Sequence, residues 1–313
     1  MADTSKSVRL HWARIREAGA RSGMRIMIFI NAVFGRAVFK LVLYPVMAYF
    51  YLRRGEARRS SIEYLTRVKR QYPGIFGKQS VLKLTFLHFL TFGDLLLDKY
   101  LAWVKSPPTP AMTPATEERL FRLIDGKQGC LVLGSHFGNL EYSRGIATRH
   151  SETVINVLLY DQHAAKFAGL MAESEPTSRL HLIQVTDLDV ALALDLKERV
   201  KRGEWVVIAG DRVPVGESSR VCRAPFLGEE APFPIGPYVL AALLECPVYL
   251  FYCYRADDHY HMGLELFADR IELPRERRNS VIEQHVRHYA SALESQVTKA
   301  PLQWFNFFDF WNG

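Results

Sequence analysis

The chain has 313 residues, 49% of them hydrophobic and 23% charged, so it can bury a sizeable core and is too apolar to be disordered. Its four cysteines (Cys130, Cys222, Cys246 and Cys253) are too few and too scattered for a disulfide scaffold, and we expect reduced thiols. The formal net charge of +7 arises at one end: residues 1–80 carry 16 basic and 4 acidic side chains, and the remainder carries 24 and 29. This asymmetry predicts an anionic partner for the N-terminal part, namely lipid headgroups, an acidic carrier protein or nucleic acid.

The segment 24–52 is apolar and long enough to span a bilayer, but Arg36 and Lys40 interrupt it near its middle. Each such charge at bilayer depth costs about 2.5–3.5 kcal/mol. Pro45 is expected to bend a helix that runs through it. We therefore predict a membrane-associated helical segment that spans the bilayer or lies on it. The alternative is a pair of buried helices with solvated basic ends.

A basic cluster follows this segment, and aromatic side chains edge the apolar run before it. This combination is typical of an interfacial helix on an anionic membrane. The first 80 residues contain no zinc-ligand spacing, no aromatic RNP-like pattern and no recognition-helix signature, which disfavours nucleic acid as the partner. A long basic leader without a small-residue cleavage site disfavours a secretory signal peptide. The cluster consists of Arg53, Arg54, Arg58 and Arg59.

Residues 60–104 have helical apolar spacing, and Ser106–Pro114, with four prolines in nine residues, is predicted to be a loop. This loop would divide a basic, helical N-terminal region (1–105) from a second domain (115–313). In that domain short apolar strands alternate with helices, which predicts an α/β fold with a mostly parallel central sheet flanked by helices. The predicted strands are Cys130–Ser135, Val154–Leu159, Leu180–Val185, Trp205–Ala209, Pro247–Tyr254 and Tyr260–Phe267, and the predicted helices are Asp187–Arg202, capped by Thr186 or Asp187, and Arg277–Thr298.

The strongest chemical signal is Gly134–Glu141 (GSHFGNLE), which follows a predicted buried strand and opens a helix-like segment, Asn139–His150. Ligands in α/β sheets bind at such strand ends, and a histidine with a carboxylate can form a general base and its orienting partner. Five residues correspond to about 140° around a helix. His136 and Glu141 can therefore meet only if His136 lies in the turn before the helix. The alternative is a half-buried histidine and an unrelated surface charge.

Other constellations are weaker. His259/His261 and His285/His288 have metal-like spacings, but no cysteine or acidic cluster lies in register with them, so we expect no metal site. The chain contains no Walker loop, no G-x-G-x-x-G and no G-x-S-x-G elbow, so neither a nucleotide cofactor nor a serine hydrolase is expected.

The block GSHFGNLE resembles the H-x4-D/E motif of the lysophospholipid acyltransferase superfamily. It is most similar to the branch that contains the bacterial lipid A lauroyl and myristoyl acyltransferases. The FGN variant of the histidine loop resembles the acyltransferases found beside fatty-acid-like synthases, including those of aryl polyene clusters. Arg212 stands where lipid A enzymes usually carry Gln. Further blocks occur in the family's order, at Ala209–Arg212, Ala224–Gly228, Phe233–Pro237, Pro247–Val248 and Gln303–Asn306.

The resemblance implies a glycerol-3-phosphate-acyltransferase-like fold and a membrane enzyme on the cytoplasmic face of a bacterial inner membrane. The donor would be a fatty or polyene acyl thioester of acyl carrier protein or coenzyme A, and the acceptor a lipid or glycolipid. His136 would deprotonate the acceptor, Glu141 would orient His136, and no acyl-enzyme or cofactor would be needed. A thioesterase using the same two residues, or a non-enzymatic lipid-binding membrane protein, are the alternatives.

The resemblance also assigns substrate-binding residues around the base. Asn139 or the backbone N–H groups of the Gly138 turn would stabilise the oxyanion. Asp211 and Arg212 would contact substrate. Arg212 would grip a phosphate or carboxylate through both guanidinium nitrogens, or alternatively pair with Asp211.

Overall fold

The computed structural model describes residues 20–104, 108–143, 153–159, 179–185, 190–213 and 220–312. Its N-terminal part is helical and consists of α1 (Ala20–Arg53), α2 (Gly55–Gln71) and α3 (Val81–Val104).

Helix α1 changes direction at one residue. Gly35 has φ 78° and ψ 176°, a conformation that residues with a Cβ rarely adopt, and it lies ten residues before Pro45. After this break, α1 packs along α3, and the two helices share a hydrophobic cluster. Its members on α1 and α3 include Phe39, Leu43, Met47, Phe89, Leu90 and Leu97.

The rest of the described chain is an α/β sandwich, so the predicted fold class is confirmed. Strands β1 to β5 are Ala111–Met112, Cys130–Gly134, Ile155–Leu159, Leu180–Gln184 and Trp205–Ala209, and β6 to β9 are Val221–Phe226, Glu229–Pro234, Val248–Ala256 and His259–Ala268. Helices α4 to α7 are Pro114–Asp125, Val190–Lys201, Gly236–Leu244 and Arg278–Lys299.

In the described residues the central sheet has seven strands in the order β1-β9-β8-β2-β5-β3-β4. Strands β8, β2, β5, β3 and β4 are parallel, β9 is antiparallel to β8, and β6 and β7 form a separate hairpin. Every residue of β2 is buried. Its alternate side chains enter two cores, with Leu131 and Leu133 in one and Cys130 and Val132 in the other. This is why its sequence is continuously apolar rather than alternating.

Two local expectations need correction. The segment Ser106–Pro114 is not only a loop, because its β1 residues join the central sheet in parallel with β9. Thr113 then caps α4 by accepting a hydrogen bond from the Thr116 N–H at 3.2 Å.

The described part of Asn139–His150 is a 3-10 turn, Leu140–Ser143, and residues 144–152 lie outside the described residues. The predicted caps Thr186 and Asp187 also lie outside them.

Candidate active site

The site forms where two neighbouring strands end. Strands β2 and β5 are parallel and in register, with Gly134 opposite Ala209. His136 and Asp211 each lie two residues beyond these ends, so equal chain lengths bring them to the same point. The fold itself thus brings together a histidine and a carboxylate that are 75 residues apart.

Asp211 holds His136 by both its ring and its backbone. The carboxylate Oδ1 lies 2.8 Å from the ring Nδ1, and Oδ2 accepts the His136 backbone N–H at 2.7 Å. Asp211 is almost fully buried, whereas about 36% of the His136 side chain is exposed. A proton on Nδ1 leaves the lone pair on Nε2, so the ring can act as a base from that nitrogen.

Burial and the charge of Arg212 lower the pKa of His136 below its ordinary value, and Asp211 opposes this shift. Burial would raise the pKa of Asp211, but the attraction of His136, its hydrogen bonds and Arg212 together lower it. The imidazole is therefore neutral and the carboxylate ionised at neutral pH, which is the protonation state that a general base requires.

Glu141 has a different partner from the one predicted. Its carboxylate forms an ion pair with Lys99 of α3. With its nitrogen turned toward this carboxylate, the buried Asn139 amide donates to Oε2 at 3.3 Å and accepts from the Lys99 backbone N–H at 3.2 Å. The carboxylate that contacts the His136 ring in the structure is therefore Asp211, because the turn after His136 directs Glu141 toward α3.

That turn is fixed by Gly138. Its φ is 71°, and a Cβ there would lie 2.0 Å from the Cys253 carbonyl oxygen, so only glycine fits. The Gly138 N–H donates to the Gln303 carbonyl at 2.8 Å, and the Asn139 N–H donates to the Cys253 carbonyl at 2.7 Å. Both predicted backbone oxyanion donors are thus already used to hold the loop against β8 and the C-terminal tail.

Arg212 lies beside the base and contacts the C-terminal tail. Its Nη2 donates to the Phe305 carbonyl at 3.1 Å, and its guanidinium lies 5.3 Å from the Phe308 ring centroid. The Phe305 N–H in turn donates to the His136 carbonyl at 3.1 Å. The tail therefore links Arg212 to the residue that carries the base.

Comparison with known families decides the class of the chain. Residues 101–312 match the family described as bacterial lipid A biosynthesis acyltransferase. The chain belongs to this family. It is therefore an acyltransferase of lipid biosynthesis, as the motif order predicted. The comparison with curated proteins gives no match.

The basic cluster lies at the junction of α1 and α2 of this acyltransferase. Arg53 and Arg59 are exposed. Arg58 donates to the Tyr51 carbonyl at 2.8 Å, and its guanidinium lies 5.3 Å from the Tyr51 ring centroid, so it caps the end of α1. Arg54 is the N-cap residue of α2. At least Arg58 of the cluster thus has a contact within the protein.

Sequence reasoning did not single out two residues of this candidate site, Lys99 and Trp304. Lys99 lies in an apolar helix of the N-terminal region, 42 residues before Glu141, and nothing in its surroundings marks it. Trp304 also contacts Asp211, through its indole Nε1 at 3.0 Å from Oδ2. Asp211 was predicted to contact substrate, and its contact with His136 could have been anticipated, since Asp211 follows β5 as His136 follows β2.

Proposed function

We propose that the chain transfers a fatty or polyene acyl group from an acyl carrier protein or coenzyme A thioester to a lipid or glycolipid acceptor. The reaction would take place on the cytoplasmic face of a bacterial inner membrane, with His136 as the general base. The observation that carries this proposal is the pairing of a half-exposed, neutral His136 with a buried, ionised Asp211 at the carboxyl end of the sheet.

The chemistry needs no covalent enzyme intermediate. His136 Nε2 takes the proton of the acceptor hydroxyl or amine as the acceptor attacks the thioester carbonyl carbon. The tetrahedral intermediate collapses, the carbon–sulfur bond breaks, and the imidazolium returns the proton to the thiolate. Asp211 stabilises the imidazolium during its brief existence, because the carboxylate accepts the Nδ1–H.

Two further residues, Glu141 and Arg212, have proposed roles around this base. Glu141, held by Lys99 and Asn139, supports the loop that carries His136. Arg212 binds a phosphate of the donor or of the acceptor headgroup, since a guanidinium matches phosphate geometry. The positive charges of Lys99 and Arg212 both lower the pKa of His136, so an anion bound near either of them would raise this pKa again.

Membrane association is supported by the outer face of α1. The helix is long and apolar enough to cross a membrane by length and composition. The large hydrophobic side chains it exposes are Ile26, Phe29, Val33, Phe34, Val38, Leu41, Tyr44, Tyr49 and Leu52. An apolar face of this extent marks a site of membrane or protein contact. We propose that it inserts into lipid, with the basic cluster Arg53, Arg54, Arg58 and Arg59 at the anionic headgroups.

The test is a thioester-consumption assay on detergent-purified protein. Acyl carrier protein and coenzyme A thioesters are offered with and without a total lipid extract. We expect lipid-dependent turnover that falls about 10²–10⁴-fold in His136→Ala and in Asp211→Asn, the range for a general base and its orienting acid. Glu141→Gln should cost less, roughly tenfold, because its effect passes through the loop.

The matched control is His181→Ala, which removes a histidine from the edge strand β4. It should keep native turnover. Turnover that needs no lipid would favour a thioesterase, and turnover that survives in His136→Ala would contradict the proposed base. An absence of turnover with every donor and acceptor offered would favour a binding role.

A further inference from the structure

Trp304 is the third group that contacts the Asp211 carboxylate. It follows the short 3-10 turn Pro301–Gln303 in the C-terminal tail, and only 1% of it is exposed. Its indole Nε1 donates to Asp211 Oδ2 at 3.0 Å, on the same oxygen that accepts the His136 backbone N–H. Two donors on Oδ2 leave Oδ1 directed at the His136 ring.

The ring of Trp304 is held by aromatic packing. It makes edge contacts with Tyr64, Phe226 and Phe310, with ring centroids 5.0–5.1 Å apart. Such contacts restrict rotation about the side-chain bonds, because every displacement of the indole meets another ring. The direction of the indole N–H is thereby fixed.

The backbone carbonyl of Trp304 is held by a buried histidine, His88. His88 Nε2 lies 3.1 Å from the Trp304 carbonyl oxygen, and its Nδ1 lies 2.8 Å from the Ser61 hydroxyl. A carbonyl only accepts, so Nε2 carries the proton and Nδ1 accepts from Ser61. Burial lowers the pKa of His88 to about 3, so this ring stays neutral and keeps both hydrogen bonds at physiological pH.

The same tail pairs with the loop that carries the base. Phe137 and Trp304 form an antiparallel bridge, and the Phe305 N–H donates to the His136 carbonyl at 3.1 Å. Trp304 therefore contacts one member of the pair through its side chain and lies beside the other through its backbone. A hydrogen-bonded series runs from Ser61 and His88 of the N-terminal helices, through Trp304, to Asp211 and His136.

We propose that Trp304 is a positioning residue: its indole N–H fixes the Asp211 carboxylate so that Oδ1 stays in line with the His136 ring. The inference rests on the proposed function, in which that ring is the base. Without this donor Oδ2 keeps only the His136 backbone N–H, and the buried carboxylate turns to recover the lost bond. The Nδ1–H bond then lengthens, and the base is less well oriented.

The test removes the indole N–H of Trp304 and keeps the shape of the ring. Trp304→β-(3-benzothienyl)alanine substitutes sulfur for Nε1–H and preserves packing, and Trp304→Phe is the genetically encoded version. Trp311 supplies the matched control: it lies in the same tail, is buried, and within the described residues its Nε1 has no hydrogen-bond partner. The same two replacements are made at Trp311.

In the full chain we expect kcat to fall about 10- to 100-fold in the Trp304 variants, with KM unchanged. A loss of this size is usual when a hydrogen bond that supports a catalytic group is removed. The Trp311 variants should stay within about twofold of native, as expected when no hydrogen bond is removed. Native kcat in Trp304→β-(3-benzothienyl)alanine, or an equal loss in the matching Trp311 variant, would overturn the proposal.

A second readout needs no substrate. The His136 Nδ1–H proton, shared with a carboxylate at 2.8 Å, should give a downfield proton resonance, assigned by its loss in His136→Ala. We expect this resonance to move or vanish in Trp304→β-(3-benzothienyl)alanine and to stay in the Trp311 control. An unmoved resonance contradicts the positioning role. Because it is read without turnover, this result stands even if the acyl transfer proposed above fails.

Discussion

At the scale of the residue, two opposite charges act on the His136 imidazole. Asp211 favours its protonated form and Arg212 disfavours it, and with burial the net effect is a lowered pKa. In the proposed function Arg212 has two separable effects, one on the pKa of His136 and one on an anionic substrate. Because the imidazole must be neutral to accept a proton there, a lowered pKa would extend activity to lower pH.

Replacement of Arg212 by Gln should separate these effects. Loss of the positive charge stabilises the imidazolium, so the pKa of His136 rises and the acidic limb of the kcat/KM profile moves to higher pH. KM for the phosphate-bearing substrate should rise as well. The measurement is the pH dependence of kcat and KM between pH 5 and 9 for both substrates.

The matched control for this change is Arg223→Gln. Arg223 donates to the carbonyls of Glu230 and Trp311 in the β6–β7 hairpin and tail. Its loss should leave the acidic limb where it is. An acidic limb that does not move in Arg212→Gln, or one that moves to lower pH, would contradict this electrostatic account.

At the scale of the element, one charged cluster joins four elements. Arg36 of α1 donates to Asp94 at 2.8 Å and to Asp98 at 2.5 Å, both on α3, and Arg255 of β8 contacts the same two carboxylates. Tyr260 of β9 adds a hydrogen bond to Asp98 at 2.7 Å. Arg36, one of the two charges that interrupt the apolar segment, thus forms internal ion pairs that attach α1 to α3 and, through the shared carboxylates, to β8.

Arg36→Met tests this attachment. Asp94 and Asp98 are 8% and 6% exposed in their side chains, so loss of one cation leaves negative charge poorly compensated in a low dielectric. Arg255 remains and Arg36 itself is 39% exposed, so we expect a loss of about 1–2 kcal/mol rather than the full cost for a buried pair. Thermal unfolding of the detergent-purified protein measures it.

Lys40→Met is the control, since it removes a positive charge from an exposed position four residues along the same helix. It should change stability by less than about 0.5 kcal/mol, as is usual for surface substitutions. Equal losses in both variants would indicate that the net charge of α1, not the cluster, stabilises its attachment.

The elements also explain what the sequence could predict. Continuous apolar runs such as β2 and β5 identify buried parallel strands, so the fold class and most strands were predictable to within one or two residues. Only part of the candidate site could be predicted from the sequence. His136 lies in a recognisable motif, but its partner depends on which strands are neighbours and in which register, and spacing along the chain does not encode that. Glu141 is nearer in sequence, but in the structure its carboxylate pairs with Lys99, whereas Asp211 contacts the His136 ring.

At the scale of the whole molecule, the catalytic sheet, the N-terminal helices and the C-terminal tail meet at one site. Contacts from α3, from the segments that follow β2 and β5, and from the tail all involve His136, Asp211 or Glu141. The N-terminal helices, although predicted as a separate region, contribute Lys99 and His88 to it. Their outer surface includes the exposed face of α1, so in the proposed function the orientation of that face toward the bilayer would set the orientation of the candidate site.

If α1 contacts a membrane as proposed, its packing against α3 favours a helix that lies in the membrane plane. From Arg36 to Arg53 one side is buried against α3 while the opposite side exposes large apolar groups such as Val38 and Leu41. A helix attached along one side could cross a bilayer only if this packing against α3 opened. Val38→Glu combined with Leu41→Glu should therefore lower partitioning into anionic vesicles at least about tenfold, through loss of apolar burial and added repulsion.

Leu194→Glu, an exposed apolar position on α5, is the matched control and should partition as the native chain does. Spin labels at Val33, Leu41 and Leu52 then give the depth of α1 directly, in a Cys222→Ser background because the other three cysteines are buried. We expect three similar, shallow depths, as for a helix in the interface. A deep label at Leu41 between two shallow ones would instead indicate a spanning helix, and the attachment to α3 would then have to open in the membrane.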